Sequence, residues 1–209
     1  MTVDKTKLAL ILLVAMVTAI TCVNPVYPHE QLLQHIGTAL LFIPLITDVF
    51  KKAMPMSAFI GLACFTLLHV IGARYIYSYV PYKELAVSLG LVDAGFFHDP
   101  RNHYDRLVHF SFGVLLFPYL VYACKKWFKQ QHFVAMLMAW LMVQTGSMIY
   151  ELFEWLLTIV MTADAADCYN GQQGDMWDAQ KDMALALLGS TAMLFYYMLR
   201  YANKERRRH

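Results

Sequence analysis

Hydrophobic runs of membrane-crossing length, separated by short polar breaks, occupy most of this 209-residue chain. A hydrocarbon core of about 30 Å needs about 17 to 25 apolar residues in helical form, and backbone that crosses it must satisfy its own hydrogen bonds. Six segments fit: 8–24, 33–50, 54–76, 107–124, 133–161 and 183–199. The last is short unless the amphipathic stretch 175–182 supplies its first turns. The expected fold is all-α, a polytopic six-transmembrane-helix bundle that forms a single integral membrane domain over 1–209. With 59% hydrophobic and 15% charged residues a soluble globular domain is excluded, and a formal charge of +2 lends nucleic acid binding no support.

The start, MTVDKTK before an apolar run, resembles a secretory signal, but no A-x-A site follows. Ala19, Ile20 and Thr21 before Cys22 also fit a lipoprotein cleavage box poorly, so an uncleaved first span is expected. Cys22, Cys64, Cys124 and Cys168 lie far apart with no CxxC pair, which indicates neither a zinc ribbon nor a disulfide framework.

Lysine and arginine orient the bundle. Lys5, Lys7, Lys51, Lys52, Lys125, Lys126, Lys129, Arg200, Lys204, Arg206, Arg207 and Arg208 put 12 of 17 basic residues on one side. The positive-inside rule makes that side cytoplasmic, with both termini there. The opposite, periplasmic side then receives a short connection near His29 and longer ones at about 77–104 and 163–181. Tyr75, Tyr77, Tyr79 and Tyr82 read as an interfacial aromatic belt. Residues 83–92 are too short to span and are expected to lie flat or re-enter, and the turn-like FFHDPRNHYD that follows suits a lid.

Ionisable residues inside the spans carry the most information, because each costs about 2.5 to 3.5 kcal/mol at the bilayer centre and must face a shared interior or the water boundary. At about 1.5 Å per residue, His69 and Arg74 rise about 22 and 30 Å along the third span, and Glu151 and Glu154 about 27 and 32 Å along the fifth. Asp105 and Arg106 open the fourth span with His109 one turn deeper, and Asp175, Asp178 and Asp182 open the sixth. All four helices thus bring polar groups to the outer third. Spacings of i,i+4 for Asp105 and His109, i,i+3 for Glu151 and Glu154, and i,i+3,i+7 for the aspartates make one stripe per helix. His69 and Arg74 share a face only if the third helix bends or ends near Gly72. Structural readings stand beside these: Asp175 as an N-cap with Asp178 favouring the dipole, and Asp105 with Arg106 as an interfacial ion pair.

HVIGARYIYSYVPY at 69–82, RNHYDRLVHFSFG at 101–113, YELFEW at 150–155 and GDMWDAQKDMALALLG at 174–189 together resemble the YjdF family of bacterial inner-membrane proteins over essentially the whole chain. The resemblance implies an inner-membrane location and a multi-pass topology. A looser resemblance is to VanZ-like membrane proteins, in Asp105 with His109 and Phe110, Glu151, and Asp178 with Asp182. Glu154 and the tyrosine-rich loop depart from that pattern.

Carboxylates suit hard divalent cations, and added imidazole admits zinc or manganese, so His109, Glu151, Glu154, Asp178 and Asp182 form a candidate set of metal ligands. Asp105 and His69 are candidate acid–base groups, and Arg74 and Arg106 candidates for binding anionic headgroup oxygens. The leading expectation is metal-assisted hydrolysis or transfer on a lipid-linked or envelope substrate, the lipid bilayer being the other partner. A proton- or ion-coupled transporter and a structural protein with a satisfied ion-pair network are the alternatives.

Overall fold

In a computed structural model of the protein, residues 3–93, 95–162, 166 and 169–206 are described, with eight α-helices and no strand among them. Cys168, Arg207, Arg208 and the start of the last polar connection at 163–165 lie outside the described residues. The helices are α1 (Lys5–Thr21), α2 (Pro28–Lys51), α3 (Met56–Arg74), α4 (Tyr82–Ser88), α5 (Tyr104–Leu115), α6 (Phe117–Lys126), α7 (His132–Val160) and α8 (Asp178–Arg206).

Five helical stretches are long and apolar enough to cross a membrane: Pro28–Lys51, Met56–Arg74, Tyr104–Lys126, His132–Val160 and Asp178–Asn203. α1, at 17 residues, sits at the lower edge of spanning length. α2 starts at 28, earlier than the apolar run indicates, because Pro28 suits the first helical turn and Glu30 complements the dipole there. α8 likewise takes in Asp178 and Asp182, which the hydropathy of 183–199 leaves out. The fourth span is two helices. Pro118 lies in the first turn of α6 and donates no hydrogen bond, and the chain bends at Leu116 between α5 and α6.

α3 is the central helix, with Phe59, Leu62, Val70 and Ala73 fully or almost fully buried, and it packs on α1, α2, α5 and α6. α8 covers the far side through α5 and α7. Elsewhere the helices turn leucine, isoleucine and phenylalanine outward, as lipid-facing surface does. At the basic end, buried Lys7 donates to Asp48 Oδ2 at 2.6 Å and to the Met54 carbonyl at 2.7 Å, while Asp48 Oδ1 accepts the Ala53 and Met54 N–H groups. The ion pair ties α1 to the α2–α3 turn.

The opposite, loop end is stitched together by polar side chains. Asn102 and Gln173 exchange reciprocal bonds, Asn102 N to Gln173 Oε1 at 2.9 Å and Gln173 Nε2 to the Asn102 carbonyl at 3.0 Å. Lys83 donates to the carbonyls of Asp99 and Arg101, which holds the extended run before α5 against α4. α4 buries none of its residues, in keeping with a segment too short to span.

Candidate functional site

The site forms where α5, α7 and α8 meet near the loop end. α5 and α8 approach so closely that side chains at their crossing are excluded. A Cβ on Gly113 would stand 2.4 Å from the Ala186 carbonyl oxygen, and one on Gly189 2.3 Å from that of Phe110. Small residues at a crossing allow such backbone contact in membranes. The contact sets the first turns of the two helices side by side and brings Asp105 and His109 to Asp182.

His109 Nε2 lies 3.6 Å from Asp105 Oδ1 and 3.5 Å from Glu151 Oε1. One ligand atom each from Asp105, His109 and Asp182 falls within 4.8 Å of the other two. All four residues are buried, and Glu151 Oε1 and Asp182 Oδ1 have no hydrogen-bond partner. Orphaned carboxylate oxygens at this depth are costly unless something positive meets them. Distances of 3.5 to 3.6 Å are long for hydrogen bonds. They match the separation of about 3.4 Å between donors held about 2.0–2.1 Å from one tetrahedral ion. Asp105, His109 and Asp182, two carboxylates and one imidazole, are the residues that could hold a divalent cation such as zinc or manganese, with Glu151 reaching the set through His109.

A ring of ion pairs lies just outside. Asp178 is engaged by Arg101 and stands 3.6 Å from Arg106. Arg106 reaches Asp175 at 2.5 Å, and Lys181 reaches the same oxygen at 2.6 Å. Hydrogen bonds from Lys181 and from the Trp177 N–H hold the Asp175 carboxyl below the usual carboxylate range. Asp178, expected among the metal ligands, is thus taken up by guanidinium groups. Asp175 makes a local turn to Trp177, one residue short of the helix that it was expected to cap.

His69 borders the same space but is already bonded through both nitrogens. Its Nε2 donates to the Gln34 carbonyl at 3.1 Å, which leaves Nδ1 to accept from the Tyr77 hydroxyl at 2.6 Å. Burial raises the Tyr77 phenol well above its ordinary value, so it stays a neutral donor. Tyr77 is therefore an interior residue and not part of an interfacial belt; Tyr79, stacked on Tyr27, keeps the exposed position. Arg74 is used elsewhere, donating at 2.8 and 2.7 Å to the Thr21 and Val23 carbonyls that close α1. Glu154, one turn from Glu151 on α7 and half-buried, falls outside the group of converging ligand atoms, and its backbone carbonyl accepts from Asn170 Nδ2 at 3.3 Å. Arg101 was absent from the sequence-derived set; the signal for it was a basic residue in the loop facing three aspartates at 175–182.

The predicted membrane protein family DUF2238 matches residues 6–203 of the chain. The chain belongs to this family. Inner membrane protein YjdF of Escherichia coli (strain K12) is 32% identical over 145 residues, which are 68% of this chain and 64%, just under two thirds, of that protein. No solved structure matches. With its apolar helices, membership makes the chain a multi-pass protein of the bacterial inner membrane. The likeness to VanZ-like proteins rests on the residue pattern alone.

Proposed function

We propose that Asp105, His109, Glu151 and Asp182 hold a divalent cation and that the protein uses this centre for hydrolysis or transfer on a lipid-linked or anionic envelope substrate. The observation that carries the reading is the buried His109 imidazole, 3.5 Å from the unpartnered Oε1 of Glu151 and within 4.8 Å of a ligand atom of Asp182, whose buried Oδ1 is also unpartnered. A cation bound there would polarise a phosphoryl oxygen or lower the pKa of a bound water. Arg106 and Lys181, above the donors, would hold an anionic group, and burial of the cluster would limit entry of water. In this reading α1 is the sixth span, the termini are cytoplasmic and the loop end faces the periplasm, as the lysines and arginines indicate. Glu154, one turn from Glu151 on the same helix, would stand beside the centre and not act as a ligand.

An ion-pair network explains Asp175 and Asp178, but the cations that compensate them leave the Glu151 and Asp182 oxygens unmet. A carrier needs polarity through both halves of the bundle, whereas the space below His109 is lined by Leu40, Leu41, Phe65 and Leu116.

The test is elemental analysis of protein purified without chelator, repeated after loading with Zn²⁺ or Mn²⁺. Wild type is expected to retain about one ion, Glu151→Gln and Asp182→Asn to lose it, and chelation to lower the thermal midpoint in detergent. Protein that binds neither ion and is indifferent to chelator overturns the reading.

A further inference from the structure

Below the donor cluster the bundle encloses a cavity of about 330 Å³. Asp105, His109 and Tyr150 are at its polar end, and Phe65, Val108, Phe112 and Leu116 line its length. From the level of Asp105 to that of Leu116 along α5 is about 16 Å at 1.5 Å per residue. Half of a hydrocarbon core is about 15 Å. The cavity is therefore as deep as one leaflet.

Its side wall is incomplete. α2 packs on α1 and α3, and α7 on α6 and α8, but α2 and α7 barely meet. A long hydrogen bond from Gln34 to the Tyr150 hydroxyl, at 3.5 Å, bridges them at the polar end. Leu40, which lines the cavity, is 64% exposed on the outside of the bundle. In a membrane that gap opens onto lipid chains and not onto water.

We propose that the cavity takes one acyl chain of a phospholipid, entering sideways from the bilayer between α2 and α7, with the phosphate at the donor cluster. Three features select this occupant. Access is from hydrocarbon, the depth is that of one leaflet, and the polar end carries the donor set with Arg106 and Lys181 beyond it, which suits a phosphodiester. The headgroup part rests on the cation reading above; the chain part rests on the cavity and its portal.

The experiment uses the full chain in phosphatidylethanolamine vesicles containing phosphatidylglycerol with a diazirine midway along one acyl chain. After illumination, adducts are mapped by peptide mass spectrometry. Bulk lipid labels exposed positions such as Leu32 and Leu141, whereas a seated chain also labels buried Phe65, Val108 and Leu116. Leu40→Trp, which plugs the portal from an exposed position, is expected to cut the buried adducts about tenfold and to leave those at Leu32 unchanged. Ser147→Leu, which fills the cavity at a residue whose buried hydroxyl has no partner, is expected to do the same should Leu40→Trp lower the thermal midpoint. Adducts confined to exposed residues, or buried adducts that neither substitution changes, overturn the proposal. Unlabelled polyprenyl phosphate that clears the buried adducts where phosphatidylglycerol does not overturns the phospholipid assignment. Buried adducts in a protein that binds neither Zn²⁺ nor Mn²⁺ uphold the chain site while removing the cation reading. A bound ion without buried adducts does the reverse.

Discussion

Tyr77 folds back over Gly72 to set its hydroxyl 2.6 Å from Nδ1 of His69, eight residues earlier. The turn needs left-handed backbone at Ile76 and Tyr77 and accepts two N–H groups, those of Tyr75 and Tyr77, on the Gly72 carbonyl. A Cβ at residue 72 would stand 2.5 Å from the Tyr77 ring. Tyr77→Phe should leave the buried imidazole nitrogen unmet, at about 1–3 kcal/mol. Gly72→Ala should cost more, because it displaces the ring itself. Thermal midpoints in detergent rank the two; equal midpoints would show that the turn is not held by this bond.

The α5–α8 contact predicts long-range damage from a small change. Gly189→Ala forces a Cβ against the Phe110 backbone, which cannot yield as a flexible side chain would. The helices must separate, and Asp182 moves away from His109. A lower midpoint with weaker Zn²⁺ retention is expected, although residue 189 touches no donor. Retention equal to wild type would show that the donor spacing does not depend on this crossing.

Lys7 and Asp48 form a buried ion pair whose remaining groups are bonded to backbone. Removing one partner strands the other charge, so Lys7→Met or Asp48→Asn alone should cost about 3–5 kcal/mol. The double replacement should recover much of that. A double-mutant cycle that proves additive would show that the two charges do not interact.

Strong acid should weaken the outer ion pairs. The Asp175 carboxyl is held below its ordinary value of 3.8 by Lys181 and the Trp177 N–H. Its stabilising effect is therefore complete above about pH 4 and is lost as pH falls through the depressed value. Midpoints measured from pH 7 to pH 3 should fall less steeply below pH 4 in Asp175→Asn than in wild type. Parallel curves would count against the assignment.

The helical bundle was legible because periodicity and length suffice when the solvent is hydrocarbon. Convergence was legible too: depth arithmetic brought His109 and Glu151 to one level, and they stand 3.5 Å apart. Pairing was not legible, since a stripe of charge on one helix does not say which partner takes each residue. Asp178 and Asp182 are one turn apart, yet one is bound by guanidinium groups and the other is unmet. Arg74 was placed by depth alone, and its long side chain turned to the open carbonyls at the end of α1. Tyr77 read as interfacial because a left-handed turn that buries a tyrosine has no signature in hydropathy.

The bend at Leu116 hands one membrane crossing from neighbour to neighbour: α5 packs chiefly on α8, and α6 on α7. The loop-end half of this crossing is thereby held against α8, and the half toward the basic end against α7. Across the loop-end half, Glu151 of α7 meets His109 of α5 at 3.5 Å. The aperture between α5 and α7 at the polar cluster is thus tied to the place where the crossing changes partner, at Leu116 beside Pro118. Selection acting on the aperture has a lever more than a dozen residues from Asp105, one that can be adjusted without altering a single polar side chain.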